Sequence, residues 1–415
     1  MKRIITALYI CLAVTAANAQ SLSYSRFIND VYEGNLDYAA EKLSIPLAEA
    51  ELLASRMFLD PVIGVSYGNN SDWEIQMGQG VELELSKTIS LGKRTARIDY
   101  AKQSLSATEA ALNDYLRNLR ADATLCYLDA LLARDLLQIE EQSYENLSKL
   151  SSTDSVRFLK GEISQLDAIQ TKLEANIAKQ EYYSKKAEYN NMLVYLDQIS
   201  GNPLRGSEEI LGRLRDPERL FILQDLIAEA VENREDVIAA LKNAGVAESE
   251  LRMIRLERNP DIDISLGANY NTRVRNEEAP APEFIGYSVG LSIPLPFSNL
   301  NKGQIKSGQV RVQQAKIQAD NVKNMVISEI VQAYNNYESA RIKVADYDSL
   351  LMESAKRVLD GRMYAYTRGE ISLLEVLNAQ STYSDVARAY AEILHDCMSA
   401  WVELERSAGI WDIEL

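Results

Sequence analysis

Few residues in this chain are equipped for bond-making chemistry, and they are badly placed for it. One histidine, His395, and three cysteines are the only soft ligands, too few and too scattered for a zinc site. No Gly-x-Ser-x-Gly elbow, phosphate loop or Gly-rich dinucleotide turn occurs, and no nucleophile lies beside a base. An enzyme is not expected, nor a cofactor or resident metal. What stands out is a decapeptide used twice. Phe158-Leu-Lys-Gly-Glu-Ile-Ser-Gln-Leu-Asp167 returns 208 positions later as Tyr366-Thr-Arg-Gly-Glu-Ile-Ser-Leu-Leu-Glu375. In each copy a glycine, Gly161 or Gly369, supplies a turn conformation that other residues resist. An acid follows, Glu162 or Glu370, and then a serine, Ser164 or Ser372, whose oxygen can cap the next helix. Such turns offer recognition and charge.

Those turns belong to a unit that occurs twice. Tyr127 with Ala133-Arg134 is matched by Tyr334 with Ala340-Arg341, and Asp60-Pro61 by Asn259-Pro260. Each unit opens with a helix-like stretch, Leu22 to Leu59 and then Glu218 to Arg258. Two runs of period-two alternation follow. In the second copy Ile262, Ile264, Leu266, Ala268 and Tyr270 alternate with polar or small residues, as do Tyr287, Val289, Leu291 and Ile293. In the first copy Val81, Leu83 and Leu85 alternate with Glu82, Glu84 and Ser86, after Val62 to Tyr67. Each copy therefore predicts a β-hairpin with one apolar and one polar face.

After each hairpin the helix breakers vanish. No proline lies between 62 and 202 or after 296, and Gly161 is the only glycine between 93 and 200. Ile98, Leu105, Leu112, Leu119 and Cys126 recur at sevens, with Leu116, Ala123, Ala130 and Leu137 on an adjoining stripe. That is coiled-coil periodicity. A helix is predicted from about 93 to 150, turning at Ser151–Ser155 or at Gly161 and returning to about 199. A second is predicted from about 304 to 362, turning between Gly361 and Gly369 and returning to about 408. The organisation is then a leader (1–19), a helical segment (20–60), a β-hairpin (61–89) and a long helical hairpin (90–200). A connecting segment with a helix (201–259), a second β-hairpin (260–296), a second long helical hairpin (297–408) and a tail (409–415) complete it.

The leader has the layout of a cleaved export signal. Lys2 and Arg3 precede an apolar stretch from Ile4 to Thr15, and Ala17-Asn18-Ala19 ends it. Its removal takes the net charge from −16 to −18, which excludes a duplex nucleic-acid binder. Cys126 and Cys397 lie far apart in apolar helical surroundings and are expected to be free thiols. His395 is expected to be an ordinary helix residue. No later stretch is long and apolar enough for a spanning helix. Four amphipathic strands cannot close a barrel alone, since the smallest membrane barrels need about eight. The fold class expected is mostly α with a β-barrel part completed by several chains. A periplasmic coiled-coil spacer or adaptor without a channel is the alternative.

The duplicated strand–strand–helix–helix order, the Leu-Gly-Lys-Arg-x-x-Arg-Ile stretch from Leu91 to Ile98, and the two Gly-Glu-Ile-Ser tips resemble the TolC-like outer-membrane efflux channels. The Leu91–Ile98 stretch is most similar to the subgroup serving heavy-metal cation pumps. The resemblance covers residues 21–409. It implies a homotrimer with a twelve-stranded barrel in outer-membrane lipid and a twelve-helix tunnel through the periplasm. The segment Asn202 to Glu250 would be the equatorial part. It implies an exit duct that works with an inner-membrane efflux pump and a periplasmic adaptor (membrane-fusion) protein. Gly161, Glu162, Ser164, Gly369, Glu370 and Ser372 would dock the adaptor. Asp167 and Glu375 match acidic positions of the closed entrance, Asn378 stands where some members carry a second acid, and Tyr366 matches a tyrosine that latches the tip. Lys93, Arg94 and Arg97 would begin a solvated helix. Tyr67, Trp73, Tyr270 and Tyr287 suit an interfacial aromatic belt.

Overall fold

The computed structural model describes residues 21–71, 76–202, 209–217, 219–295, 300–347 and 349–413. The expected leader and Trp73 lie outside them. In chain order the elements are α1 (Tyr24–Gly34), α2 (Leu36–Lys42), α3 (Ser44–Ser55), β1 (Val62–Ser71), β2 (Gln76–Ile89), α4 (Lys93–Leu159) and α5 (Gln165–Ile199). Then come α6 (Leu223–Asn233), α7 (Glu235–Leu256), β3 (Ile262–Asn271), β4 (Phe284–Ser292), α8 (Lys302–Asp346), α9 (Ser349–Thr367) and α10 (Leu373–Ala408). The chain divides into two compact units. One is Met1–Glu41, Asn113–Arg234 and Asn324–Leu415; the other is Lys42–Leu112 and Glu235–Lys323. The units thus cut across the long helical hairpins, because α4 and α8 each supply their first part to one unit and the rest to the other.

The second unit holds the strands. The two expected hairpins join through β2 and β3 into one antiparallel sheet of order β1-β2-β3-β4. The register puts Val65, Leu83, Ala268 and Tyr287 in one row and Ile63, Leu85, Leu266 and Val289 in the next. The apolar residues of all four strands therefore share a face, and they are exposed: Val65 at 71%, Tyr287 at 83% and Val289 at 81%. The opposite face carries Glu82, Glu84, Ser265, Asn269 and Ser288. Tyr67 and Tyr270 fall in one row, with Tyr287 in the row beside it, so the three tyrosines gather towards the β1–β2 and β3–β4 turns. At the other end, Lys93 pairs with Asp261 at 2.9 Å, tying the start of α4 to the start of β3. Helix α7 is held to α4 by Arg252 on Asp99 and to α8 by Arg311 on Glu250.

The first unit carries the buried core. Helix α1 begins at Ser23, whose hydroxyl caps the Arg26 N–H, and buries Tyr24, Phe27, Ile28 and Val31 along one stripe. Phe27 and Tyr24 pack on the ring of Tyr127 in α4, with centroids 5.5 and 5.6 Å away. The hydroxyl of the fully buried Tyr127 lies 2.9 Å from the carbonyl of Leu22 and 2.6 Å from that of Leu211. In the second copy Tyr337 does the same for the carbonyl of Arg219 at 2.8 Å. Cys126 and Cys397 are free and buried. Burial pushes their thiols up to about 12 and about 11, which makes both inert.

Two expectations are corrected. The stretch 151–155 is helical, since Ser152, Thr153 and Ser155 donate their hydroxyls back to the carbonyls of Lys149 and Ser151 instead of forming a turn. The turn is at Gly161. The expected single helix from 304 to 362 is instead two, α8 ending at Asp346 and α9 beginning at Ser349. His395 is a residue of α10, with its Nε2 2.8 Å from Asp129 of α4. Among the described residues no helix is long and apolar enough to cross a membrane, and no cluster of ligating side chains could hold a metal ion.

Candidate functional site at the hairpin tips

The two tips have the same main-chain construction. At the end of α4 the N–H of Gly161 bonds to the carbonyl of Phe158 at 2.9 Å and that of Glu162 to Arg157 at 2.9 Å. At the end of α9 Gly369 bonds to Tyr366 at 2.9 Å and Glu370 to Ala365 at 3.0 Å. This paired closure requires a left-handed residue just past the helix. The two glycines provide it, at φ +77° and +76°. The chain then re-enters helix at Ser164 and Ser372. Ser164 accepts from the Asp167 N–H at 3.1 Å and donates to the Asp167 carboxylate at 2.8 Å. Glu375 accepts from the N–H and hydroxyl of Ser372 at 3.5 and 3.4 Å. Asp167 and Glu375 therefore sit in the first turns of α5 and α10, where a helix favours negative charge.

Around these turns large apolar side chains are exposed beside the charged ones. Leu159, Leu166, Tyr364 and Leu374 are all more than 60% exposed, and Leu166 and Leu374 are equivalent positions of the two copies. The tip acids are matched by arginines: Glu162 lies 3.5 Å from Arg157 and Glu370 3.1 Å from Arg368. Asn378 is exposed, and its carbonyl accepts from Thr382.

Below the turns the copies differ. Tyr366 is buried and donates its hydroxyl to Asp154 at 3.0 Å, while Asp154 is fully buried and lies 3.5 Å from Arg157. The Arg157 guanidinium also lies over the Tyr366 ring, 4.9 Å from its centroid. Leu147, Leu150, Ala178, Leu373 and Val376 close the cluster with hydrocarbon. Burial raises the Asp154 carboxyl above its ordinary value, opposed by the Tyr366 hydrogen bond and the Arg157 charge. Burial also raises the Tyr366 phenol, and the hydrogen bond to Asp154 adds to the shift, so the phenol stays a donor. Arg362 stands in the second copy where Asp154 stands in the first, and it pairs with Glu375. Sequence reasoning found the turns, the first-turn acids and Tyr366. It missed Asp154, Arg157 and Arg362; Asp154 and Arg362 are signalled by a charge reversal between equivalent positions, whereas Arg157 stands opposite Ala365.

A family profile described as "Outer membrane efflux protein" matches residues 226–410. The cobalt-zinc-cadmium resistance protein CzcC of Cupriavidus metallidurans is 23% identical over 321 residues, 77% of this chain and 74% of CzcC. The outer membrane efflux protein BepC of Brucella suis is 20% identical over 411 residues, 95% of this chain and 87% of BepC. The stretch 226–410 therefore resembles the outer membrane efflux proteins. The fold of the chain agrees with the crystal structure of the Campylobacter jejuni CmeC outer membrane channel, with a TM-score of 0.76 at 15% identity over 93% of this chain and 85% of that one.

Proposed function

We propose that the chain is the outer-membrane exit duct of a tripartite efflux or secretion system, passively conducting substrates expelled by an inner-membrane pump through a periplasmic adaptor. The observation that carries this is the sheet. Its strands of 10, 14, 10 and 9 residues are each about long enough to cross a bilayer, and they turn one continuous apolar face outward. Among the described residues, neither β1 nor β4 has a second strand neighbour. An open sheet cannot stand in lipid with bare edges, so the edges are to be closed by other copies. Three copies supply twelve strands, a size within the range of closed outer-membrane barrels. A periplasmic spacer would have no use for such a face.

In this arrangement the matched turns at Gly161, Glu162, Ser164 and Gly369, Glu370, Ser372 are the adaptor-docking surface, with the exposed leucines around them as its apolar part. The contact of Tyr366 with Asp154 holds the second hairpin against the first and is the latch of the entrance. Asp167, Glu375 and Asn378 stand beside it. Heavy-metal cations are the substrate class we favour, on the Leu91–Ile98 stretch and the similarity to a cobalt-zinc-cadmium resistance protein. The experiment is fractionation of cells producing the chain, with metal tolerance measured against a deletion strain. Recovery in the outer membrane with lost tolerance on deletion is expected. Recovery solely in the soluble periplasm would contradict the duct.

A further inference from the structure

The end of the sheet that joins the helices carries a group of cations that the duct itself does not use. Between Lys87 and Arg97 the chain has four basic residues and no acidic one, although the whole chain is at −16. Lys87 shares the apolar face with Leu83 and Leu85, four and two positions earlier on β2, and its Nζ donates to the carbonyl of Leu59. Arg94 donates from Nε to the carbonyl of Arg56 at 2.8 Å and lies over the Phe58 ring, 4.1 Å from its centroid. Both cations are thus fixed by main-chain oxygens. Among the described residues no carboxylate pairs with Lys87, Arg94 or the exposed Arg56, and Asp60, the nearest acid in sequence, pairs with none of them. The segment they hold, Met57-Phe58-Leu59, is exposed at 63%, 68% and 47% and leads directly into β1. The apolar face of the sheet therefore continues into an apolar knuckle framed by three uncompensated positive charges. At the opposite end, segment 272–283 has three glutamates against two arginines.

We propose that this knuckle is a binding site for the headgroup of an anionic phospholipid in the leaflet on the helix side, with Arg56, Lys87 and Arg94 taking the phosphate and Met57, Phe58 and Leu59 entering the acyl boundary. It rests on the outer-membrane reading above. Guanidinium groups match a phosphate in shape as well as charge, and an aromatic ring with an apolar body suits the boundary between headgroup and chain. The apolar continuity with the lipid-facing strands selects a lipid over a free anion, because the phosphate arrives with the hydrocarbon that covers Phe58. The charge asymmetry between the two ends of the sheet gives this end the anionic partner.

The test is native mass spectrometry of the purified detergent-solubilised protein mixed with equal amounts of phosphatidylglycerol and phosphatidylcholine. The parent is expected to retain phosphatidylglycerol preferentially. Arg56→Gln, at an exposed side chain outside the internal hydrogen bonds, is expected to reduce the preference about fivefold, the factor a surface cation near an anionic membrane is worth. Arg56→Gln/Lys87→Gln/Arg94→Gln is expected to abolish it, and the charge-keeping Lys87→Arg/Arg94→Lys to preserve it. Equal retention of both lipids by the parent, or an undiminished preference in the triple variant, overturns the site. Neither result disturbs the duct, which fractionation tests separately; absence from the outer membrane would overturn both.

Discussion

Tyr366 and Asp154 stand 212 positions apart, one in each copy of the duplicated unit, and share a buried hydrogen bond of 3.0 Å. The equivalent positions are Phe158 and Arg362, which cannot make this bond. The duplication therefore builds two alike turns and one unlike contact beneath them. The bond has no counterpart in the repeat and joins the first hairpin to the second beside other contacts such as Arg388 with Glu140 and His395 with Asp129.

Removing the phenol oxygen leaves a buried carboxylate short of a donor, at a cost of about 1–3 kcal/mol. Tyr366→Phe is predicted to loosen the tip with the turns intact. Single-channel recording should give a larger or more frequently open conductance than the parent, and unchanged openings would contradict the latch.

The raised carboxyl of Asp154 sets the sign of a pH effect. Its folded-state value lies above the ordinary 3.8, so the tip contact is most stable below that value and loses stability as pH rises through the raised one. Ionised Asp154 is the costly form. Acidification towards the ordinary value is predicted to reduce channel opening, and Asp154→Asn, which is neutral at every pH, to flatten that dependence. Because the Tyr366 hydrogen bond lowers the Asp154 value, Tyr366→Phe is predicted to move the midpoint to higher pH. A parent profile with the opposite slope would refute the assignment.

Much of this was legible in the sequence, and the pattern of what was missed is physical. Gly161 and Gly369 announced themselves because only glycine adopts φ near +77° readily at the end of a helix. Ser164 and Ser372 announced the next helices, and period two announced the strands. The β2–β3 pairing that merges the hairpins left no local signal, since it joins residues such as Leu83 and Ala268 across nearly half the chain. Asp154 was hidden for a similar reason. Its partner is in the other copy, whereas repeats direct attention to positions that match. The Ser151–Ser155 run reads as a turn by composition, but its hydroxyls satisfy helical carbonyls instead. The break at Tyr347 was obscured by the even spacing of apolar residues on either side.

Nothing lies within 4 Å of a Cβ built on Gly161 or Gly369, so a side chain would fit, and the strain would be in the backbone alone. Gly161→Val and Gly369→Val are each predicted to cost about 1–2 kcal/mol locally for the left-handed conformation. Efflux-dependent tolerance should fall while outer-membrane levels stay normal. If both variants keep parental tolerance, the turns do not dock an adaptor.

Glu375 is shared between the cap of α10 and Arg362, which is itself half-exposed. If Glu375 from several chains rings the entrance, Arg362 damps the ring. Glu375→Gln is predicted to lower cation selectivity in planar bilayers, and Arg362→Gln to raise it, in line with charged rings in selective pores. The same selectivity in both variants would remove Glu375 from the conducting path.

The central claim is that the four strands of one chain are closed by two further copies in the outer membrane. The most direct measurement is the mass of the protein extracted from outer membranes in mild detergent, by light scattering with the detergent contribution subtracted. The account predicts three copies of the 46.5 kDa chain, each less its leader, with full helical content. A monodisperse single chain of the same helical content would contradict it.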